Sequence, residues 1–312
     1  MNRAGIKVFA PASIGNVGIG FDLMGIALTH PGDEIIARLA ASPGVRITAI
    51  KGAKGQLPFE AVRNTAGKAA LSLLQYLGKD KEIGIELELH KKMPFGSGLG
   101  SSAASAVAGA MAVNELLQRP LEKRDLLRFA LAGETIASGS PHADNVAPSL
   151  LGGIILVRDH QSLDFVRLPV PPGLFLAVVY PHISIRTQEA RAILKREIPL
   201  SLHTRQAGNL AAFVAALYRG DLELLARSLD DQLIEPQRAQ LIPHFYEAKR
   251  AALQAGALGC SISGSGPSIF ALCPNSLIAE QAAHAMQTIF TEAKIQSDSY
   301  CSRVNMQGAF KY

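Results

Sequence analysis

Alternating apolar and polar positions predict a half-buried β-strand over residues 83–89, directly before a loop rich in glycine and serine. The alanine-rich stretch at residues 102–117 follows the loop, contains no proline and predicts a helix that ends before Pro120. A second helix is predicted over residues 124–138. The order of strand, loop and helix places the glycine-rich segment where a helix begins.

The remaining pattern mixes strands and helices without regular alternation. Strands are predicted at residues 153–157, 174–179 and 269–273, and helices at residues 187–196, 206–218, 222–229, 243–255 and 277–293. Pro171, Pro172 and Gly173 mark a predicted junction. Because 312 residues exceed the usual size of one domain and the order does not suit a doubly wound sheet, we expect an α+β fold with two domains, residues 1–168 and 169–312.

Composition and charge exclude several classes of protein. The net charge of +5 comes from 31 basic residues interleaved with 26 acidic ones, without tryptophan, so we expect no nucleic-acid binding. Cys260, Cys273 and Cys301 lack metal-ligand spacing and do not predict disulfides. No apolar run approaches the roughly 20 residues that cross a membrane, and no secretory signal is present, so a cytoplasmic protein without membrane contact is expected.

The glycine- and serine-rich loop has the composition of a phosphate-binding site. Gly96, Gly98 and Gly100 alternate along it and permit close backbone approach and positive φ. The loop opens a helix whose N–H groups and dipole favour an anion, while Ser101 and Ser102 can cap the helix or bind Mg²⁺. Neither the Walker A lysine nor the dinucleotide glycine spacing is present. On the loop alone, a helix cap with tight packing stays an open alternative.

Four segments together resemble the GHMP kinases, the superfamily of galactokinase, homoserine kinase and mevalonate kinase. The pattern P-x-x-x-G-L-G-S-S-A at residues 94–103 resembles their phosphate loop, and residues 11–22 and 259–268 resemble their first and third motifs. The segment S-P-H-A-D-N-V-A-P at residues 140–148 is similar to that of homoserine kinases. The resemblance implies an N-terminal domain like ribosomal protein S5 domain 2, a ferredoxin-like C-terminal domain, ATP with Mg²⁺, and a homodimer.

The same resemblance implies roles for individual residues. For ATP it implies Lys91, Asn64 and the loop residues Pro94, Phe95, Gly96, Ser97, Gly98, Leu99, Gly100, Ser101, Ser102, Ala103 and Ala104. For the acceptor it implies Asn16, Asp22, His142, Asp144, Thr187, Arg191, Arg238 and Gly264, and for Mg²⁺ it implies Ser102 and Glu134. The alternative for Lys91, Glu134 and each arginine is an ordinary surface position.

L-homoserine carries a carboxylate, an ammonium group and a hydroxyl, so its site needs charges of both signs. Arg191 and Arg238 suit the carboxylate because the guanidinium can bind it through two hydrogen bonds. Mevalonate and sugar kinases of the superfamily carry a Lys or Arg in place of Ser13 and an Asp base in place of Asn145. Asn145 cannot accept a proton, so we expect it to position the hydroxyl, with Asp144 as the alternative base.

The implied catalytic residues are therefore Asn145, Asp144 and Glu134. The implied reaction transfers the γ-phosphate of ATP to the side-chain hydroxyl of L-homoserine, giving O-phospho-L-homoserine for threonine biosynthesis. Two alternatives stay open, another GHMP kinase of small molecules and a catalytically inactive ATP-binding regulator.

Overall fold

The computed structural model describes residues 5–53 and 55–312, which form eleven strands and ten α-helices. The strands are β1 (Ile6–Gly15), β2 (Met24–Ala40), β3 (Gly44–Lys51), β4 (Gly84–His90), β5 (Ile154–Asp159), β6 (Asp164–Leu168), β7 (Phe175–Pro181), β8 (Gly259–Ile262), β9 (Ile269–Cys273), β10 (Ser297–Arg303) and β11 (Phe310–Lys311). The helices are α1 (Thr65–Tyr76), α2 (Ser101–Leu116), α3 (Leu127–Ser138), α4 (Ala143–Leu151), α5 (Thr187–Ala192), α6 (Leu200–Arg219), α7 (Leu222–Ser228), α8 (Glu235–Arg238), α9 (Phe245–Gln254) and α10 (Ser276–Glu292). None of the described helices is long and apolar enough to cross a membrane.

The first sheet has seven strands and carries α2 across its face. Its order is β11-β1-β2-β4-β3. The first residues of β2, which do not pair with β4, pair with β5, and β5 pairs with β6. α2 packs on β1 and β2, and α1 and α3 pack against α2. Its residues from Ala103 to Asn114 are all buried, as expected for a helix covered on every side. The helix that follows the phosphate loop is therefore held rigidly at the centre of this half.

The second sheet is antiparallel, with the order β10-β7-β9-β8. Helices α9 and α10 pack on it around a separate hydrophobic core that includes Phe245 and Phe290. The last strand, β11, returns to the first sheet and pairs with β1. The domain boundary between residues 168 and 169 stays a prediction. Strand β11 belongs to the predicted C-terminal domain by its sequence position, but it pairs within the first sheet.

Several predicted elements are confirmed, and others need correction, among them the helix predicted over residues 206–218, which begins at Leu200. The strand at residues 83–89 and the helix at residues 102–117 are β4 and α2, each displaced by one residue. The helix predicted over residues 187–196 ends at Ala192. Helix α4 was not predicted, because Pro148 lies inside it and lacks the N–H group that would bond the Asp144 carbonyl.

A close contact between β2 and α4 supplies a test of this packing. A Cβ atom at Gly25 would lie 1.7 Å from the Asp144 carbonyl oxygen, so Gly25→Ala should lower the free energy of unfolding by about 1–3 kcal/mol or more. Gly208→Ala in α6 is the matched control, since its Cβ would meet nothing within 4 Å and should stabilise the helix by about 0.5–1 kcal/mol. Urea unfolding measures both changes. Wild-type stability in Gly25→Ala would contradict the contact.

Candidate active site

A cavity of about 270 Å³ lies where the phosphate loop, the first motif, α4, α5 and the third-motif loop meet. The predicted residues that line it are Asn16, Asp22, Lys91, Phe95, Gly96, Ser97, Gly98, Gly100, Ser101, Ser102, Glu134, His142, Asp144, Asn145, Thr187, Arg191, Arg238 and Gly264. Pro94, Leu99, Ala103, Ala104 and Asn64 are not among the lining residues. Leu99 and both alanines lie in the hydrophobic core behind the loop, so their ATP contacts stay predictions.

The phosphate loop presents an uncapped helix terminus to this cavity. Gly96, Gly98 and Gly100 have φ values of 61°, 77° and 66°, in the region that favours glycine. Gly100 is the N-cap residue of α2, and no side chain caps the helix. The predicted capping by Ser101 or Ser102 is therefore wrong, because the helix already begins at Ser101. The first-turn N–H groups and the helix dipole can bind an anion here.

Three successive carbonyls of the loop accept hydrogen bonds from the other two motifs. Ser97 O accepts from the Ser268 N–H at 3.1 Å, and Leu99 O accepts from the Ser13 N–H at 3.0 Å. Between them, Gly98 O accepts from the Ser263 hydroxyl at 2.7 Å. These bonds fix the loop conformation without using its N–H groups.

Lys91 and Asn64 differ in how they relate to the cavity. Lys91 is buried beneath the loop and lines the cavity, so the alternative of a surface lysine is wrong. Asn64 instead caps α1, its Oδ1 accepting from the N–H groups of Ala66 and Gly67 at 3.1 and 3.3 Å. Its side-chain amide donates to Pro58 O at 3.0 Å. The predicted ATP contact of Asn64 rests on the resemblance alone.

Glu134 and Ser102 both line the cavity beside the phosphate loop. Glu134 is only 4% exposed, so the alternative of a surface helix residue is wrong. In the described part of the chain, no group of three or more His, Cys, Asp or Glu side chains is arranged to hold a metal ion. One carboxylate and one hydroxyl next to nucleotide phosphates nevertheless form the oxygen donor set that Mg²⁺ uses, together with water. The residues present therefore fit a nucleotide-bound Mg²⁺.

Opposite charges face each other where the first motif and α5 meet in the cavity wall. Arg191 donates two hydrogen bonds to Asp22, from Nη1 to Oδ2 at 3.0 Å and from Nη2 to Oδ1 at 2.8 Å. Asn16 and Asp22 have left-handed φ values of 66° and 59°, which are uncommon outside glycine. The Asn16 Oδ1 accepts from the Asp22 N–H at 2.9 Å and holds this turn.

Arg238 is buried on the same side and keeps its guanidinium in place through backbone carbonyls. Its Nη1 donates to Gly264 O at 2.8 Å and its Nε to Ala190 O at 3.2 Å. Burial, followed by the nearby Arg191 charge, lowers the pKa of Arg238 to about 10, so it stays protonated at neutral pH. The ring of Phe21 lies under both guanidinium groups, 5.3 Å from Arg191 and 5.1 Å from Arg238.

Asp144 and Asn145 come from the first turn of α4. Asp144 Oδ2 accepts from the Asn16 N–H at 3.2 Å and from the Asn145 amide at 3.1 Å. Asp144 Oδ1 is buried and has no partner among the described residues. Burial raises the pKa of Asp144 from 3.8 to about 6, against the lowering effect of His142. The Ser13 hydroxyl donates to Asn145 Oδ1 at 3.0 Å.

His142 links the acidic and basic parts of the site. Its Nδ1 lies 3.6 Å from Glu134 Oε1, and its Nε2 lies 3.1 Å from the Ser140 hydroxyl and 3.4 Å from Arg191 Nη2. Burial lowers the pKa of His142, but the Glu134 and Asp144 carboxylates outweigh it, so the pKa is raised above its usual value. His142 is the N-cap residue of α4 and lies at the junction of the Glu134 and Asp144 groups.

Sequence reasoning missed several residues of the cavity wall. These are Leu57, Thr65, Ser105, Ala137 and Ser265. Ser105 and Ala137 follow Ser101 and Glu134 by about one helical turn, and this spacing could have indicated them. Leu57 lies in an irregular segment where no pattern marks it.

The chain matches known proteins along nearly its full length. Residues 64–153 match the family model of the GHMP kinases N terminal domain, and residues 213–292 match that of the GHMP kinases C terminal domain. The chain is 48% identical to a homoserine kinase of Chlorobium phaeobacteroides over 96% of this chain and 97% of that protein. It is 44% identical to a homoserine kinase of Xylella fastidiosa over 97% of this chain and 92% of that one.

Solved structures agree with these sequence matches. The crystal structure of a homoserine kinase from Cytophaga hutchinsonii superposes with a TM-score of 0.97 at 51% identity, covering 100% of this chain and 98% of that one. The L. major mevalonate kinase in complex with R-mevalonate has a TM-score of 0.74 at 22% identity, covering 96% of both chains, and shares the fold.

The raised pKa of Asp144 predicts that the difference in unfolding free energy between wild type and Asp144→Asn depends on pH. Because the folded chain holds this proton more tightly than the unfolded chain, ionised Asp144 destabilises the fold, and stability is lost as pH rises from about 4 through about 6. Asp144→Asn should therefore raise the free energy of unfolding at pH 7 to 8 by up to about 3 kcal/mol, and the gain should vanish near pH 4.

Urea unfolding of both proteins across this pH range measures the difference. Asp159→Asn is the control, because hydrogen bonds from Ser162 and Gln161 hold the pKa of that exposed carboxyl below its usual value and no gain is expected. A pH-independent difference between Asp144→Asn and wild type would contradict the assignment.

Proposed function

Since this chain belongs to the GHMP kinases and, within them, to the homoserine kinases, we propose that it transfers the γ-phosphoryl group of ATP to the side-chain hydroxyl of L-homoserine. The product is O-phospho-L-homoserine, an intermediate of threonine biosynthesis. The observation that carries the proposal is a single cavity that joins an uncapped helix terminus to a pair of opposite charges. The first feature suits phosphate, and the second suits a zwitterionic amino acid.

The donor side of the reaction is assigned to the phosphate loop and its neighbours. The loop N–H groups and the α2 dipole bind the ATP phosphates, and buried Lys91 adds positive charge behind them. Ser102 and Glu134 would hold Mg²⁺, which would neutralise phosphate charge. Phosphoryl transfer passes through a loose transition state, so alignment and charge neutralisation supply most of the catalysis.

The acceptor side is assigned to residues of opposite charge. Arg191 and Arg238 bind the homoserine carboxylate, and Asp22 binds its ammonium group, with Asn16, His142, Thr187 and Gly264 completing the wall. Arg191 and Asp22 neutralise each other in this structure. A ligand that carries both charges can separate them, because its carboxylate then pairs with Arg191 and its ammonium group with Asp22, and neither side chain is left unpaired.

Asn145 and Asp144 are assigned different roles beside the acceptor hydroxyl. The Asn145 amide cannot accept a proton, so it orients the hydroxyl and is itself oriented by Ser13 and Asp144. The buried Oδ1 of Asp144, which has no partner among the described residues, is assigned to a hydrogen bond from a donor group of the substrate. With a pKa of about 6, Asp144 is mostly ionised at neutral pH and available for this bond. A cytoplasmic location and a homodimer are further parts of the proposal.

A panel of acceptors tests the function. With ATP and Mg²⁺, we expect the purified protein to release ADP in the presence of L-homoserine and not with mevalonate or galactose, measured by a coupled ADP assay. Turnover of mevalonate or galactose instead would favour another GHMP kinase. Binding of Mg-ATP without turnover of any acceptor would favour an inactive regulator, and both results would refute homoserine kinase activity.

Arg191→Ala tests the assignment of the acceptor side. Loss of a charged hydrogen-bonding partner costs about 1.5–3 kcal/mol, so the KM for homoserine should rise about 10- to 100-fold while the KM for ATP changes little. Steady-state kinetics with each substrate varied in turn measures the two constants. Arg186→Ala is the matched control, because that side chain is 82% exposed and should change neither constant. Equal rises in both constants would contradict the assignment.

A further inference from the structure

A buried carboxylate lies behind the phosphate loop and outside the cavity. Asp33, on β2, is 1% exposed and is absent from the cavity lining. Its Oδ1 accepts hydrogen bonds from the backbone N–H groups of Lys92 at 2.9 Å and Met93 at 3.2 Å. These two residues immediately precede Pro94, where the loop begins. One oxygen of Asp33 therefore holds the start of the phosphate loop.

The other carboxylate oxygen holds the end of the loop. Asp33 Oδ2 contacts the Lys91 ammonium group and accepts from the Ser105 hydroxyl at 3.1 Å. Lys91 Nζ in turn donates to Ser101 O at 2.9 Å, to Ser101 Oγ at 2.6 Å and to Ser105 Oγ at 2.7 Å. Ser101 is the first residue of α2, and Ser105 lies one turn later. Both ends of the loop are thus tied to a single carboxylate.

We infer that Asp33 is a positioning residue for ATP, fixing the two ends of the phosphate loop and holding Lys91 as a stationary charge beneath it. Asp33 acts through the loop and Lys91, because it does not reach the cavity itself. The ammonium group of Lys91 also lies 5.6 Å from the ring centroid of Phe95, a cavity residue. This inference rests on the proposed function, which makes the loop an ATP site.

Two accounts of Asp33 make opposite predictions. If Asp33 only neutralised Lys91, its replacement by the uncharged isostere would leave more positive charge near the phosphates and would tighten ATP binding. If Asp33 positions the loop and Lys91, the same replacement releases Lys91 from its place and weakens ATP binding. Asp33→Asn separates the two accounts by the direction of change in the Kd for ATP.

A double variant separates positioning from simple stability. Removing one partner of a buried ion pair leaves an uncompensated charge and is strongly destabilising, whereas replacing both partners with uncharged groups is often tolerated. Asp33→Asn combined with Lys91→Met should therefore recover much of the unfolding free energy that Asp33→Asn loses. It should not recover ATP binding, because the Lys91 charge and the Asp33 Oδ2 contacts with Lys91 and Ser105 remain absent.

The experiment measures Mg-ATP binding by isothermal titration calorimetry without homoserine, together with urea unfolding and the KM of each substrate. For Asp33→Asn and for the double variant we expect the Kd for ATP to rise about 10- to 100-fold, as for loss of a charged hydrogen bond. The KM for homoserine should stay within about twofold. Glu88→Gln is the control, since this β4 carboxylate pairs with Arg38 and Lys51 on the other side of the strand and does not contact the loop.

ATP binding in Asp33→Asn as tight as in wild type, or tighter, would overturn the inference. Recovery of both stability and ATP binding in the double variant would assign Asp33 a purely structural role and would overturn it as well. If Asp33→Asn does not fold, Asp33→Glu keeps the charge pair with Lys91 but displaces both carboxylate oxygens, and ATP binding as tight as in wild type in that variant would overturn the inference. A wild-type protein that binds Mg-ATP but does not phosphorylate homoserine would refute the proposed function and leave the binding comparison intact.

Discussion

Two hydrogen bonds converge on the carbonyl oxygen of Gly264, and the one from Asn16 joins the two halves of the chain beside the cavity. Asn16 Nδ2 donates from the first motif at 2.8 Å, and Arg238 Nη1 donates from α8 at 2.8 Å. The same third-motif loop bonds to the backbone of the first motif and to the phosphate loop. Because Asp22 and Asp144 belong to the first half and Arg191 and Arg238 to the second, this joint sets the distance between the two groups of charged cavity residues. Under the proposed function, alignment of the two substrates depends on this joint.

The cavity concentrates charges that would destabilise the fold if they stood alone. Asp22 and Arg191 neutralise each other, while Arg238 relies on backbone carbonyls and on the ring of Phe21. Asp144 is only partly compensated, and its burial raises its pKa to about 6. Such partly compensated groups are a cost to stability that functional sites commonly carry. The cost is lowest when a ligand with one positive and one negative charge supplies the missing partners.

Features that depend on neighbouring residues could be predicted from the sequence, whereas helix α4 and the contacts of Asp33 could not. The strand, the loop and α2 were predicted because alternation, glycine spacing and alanine content are local signals. Helix α4 was missed because Pro148 argues against a helix, although the structure accommodates the unbonded Asp144 carbonyl against Gly25. Asp33 is 58 positions from Lys91, and no local pattern marks it. The roles of the charged acceptor residues came from family resemblance, since spacing alone does not distinguish them from surface groups.

The negative charge of Asp144 explains why the neighbouring Ser13 and Asn145 side chains are both uncharged. The Asn145 amide donates to Asp144 at 3.1 Å, and its oxygen accepts from Ser13 at 3.0 Å. An aspartate at position 145 would bring a second carboxylate within hydrogen-bonding distance of buried Asp144, and one of the two would hold a proton at neutral pH. A cation in place of Ser13 would then be needed to restore the balance, which is the combination that mevalonate and sugar kinases carry by resemblance. Under the proposed function, a loose transition state requires alignment more than a base, so a neutral amide at position 145 avoids a second buried carboxylate and still orients the hydroxyl.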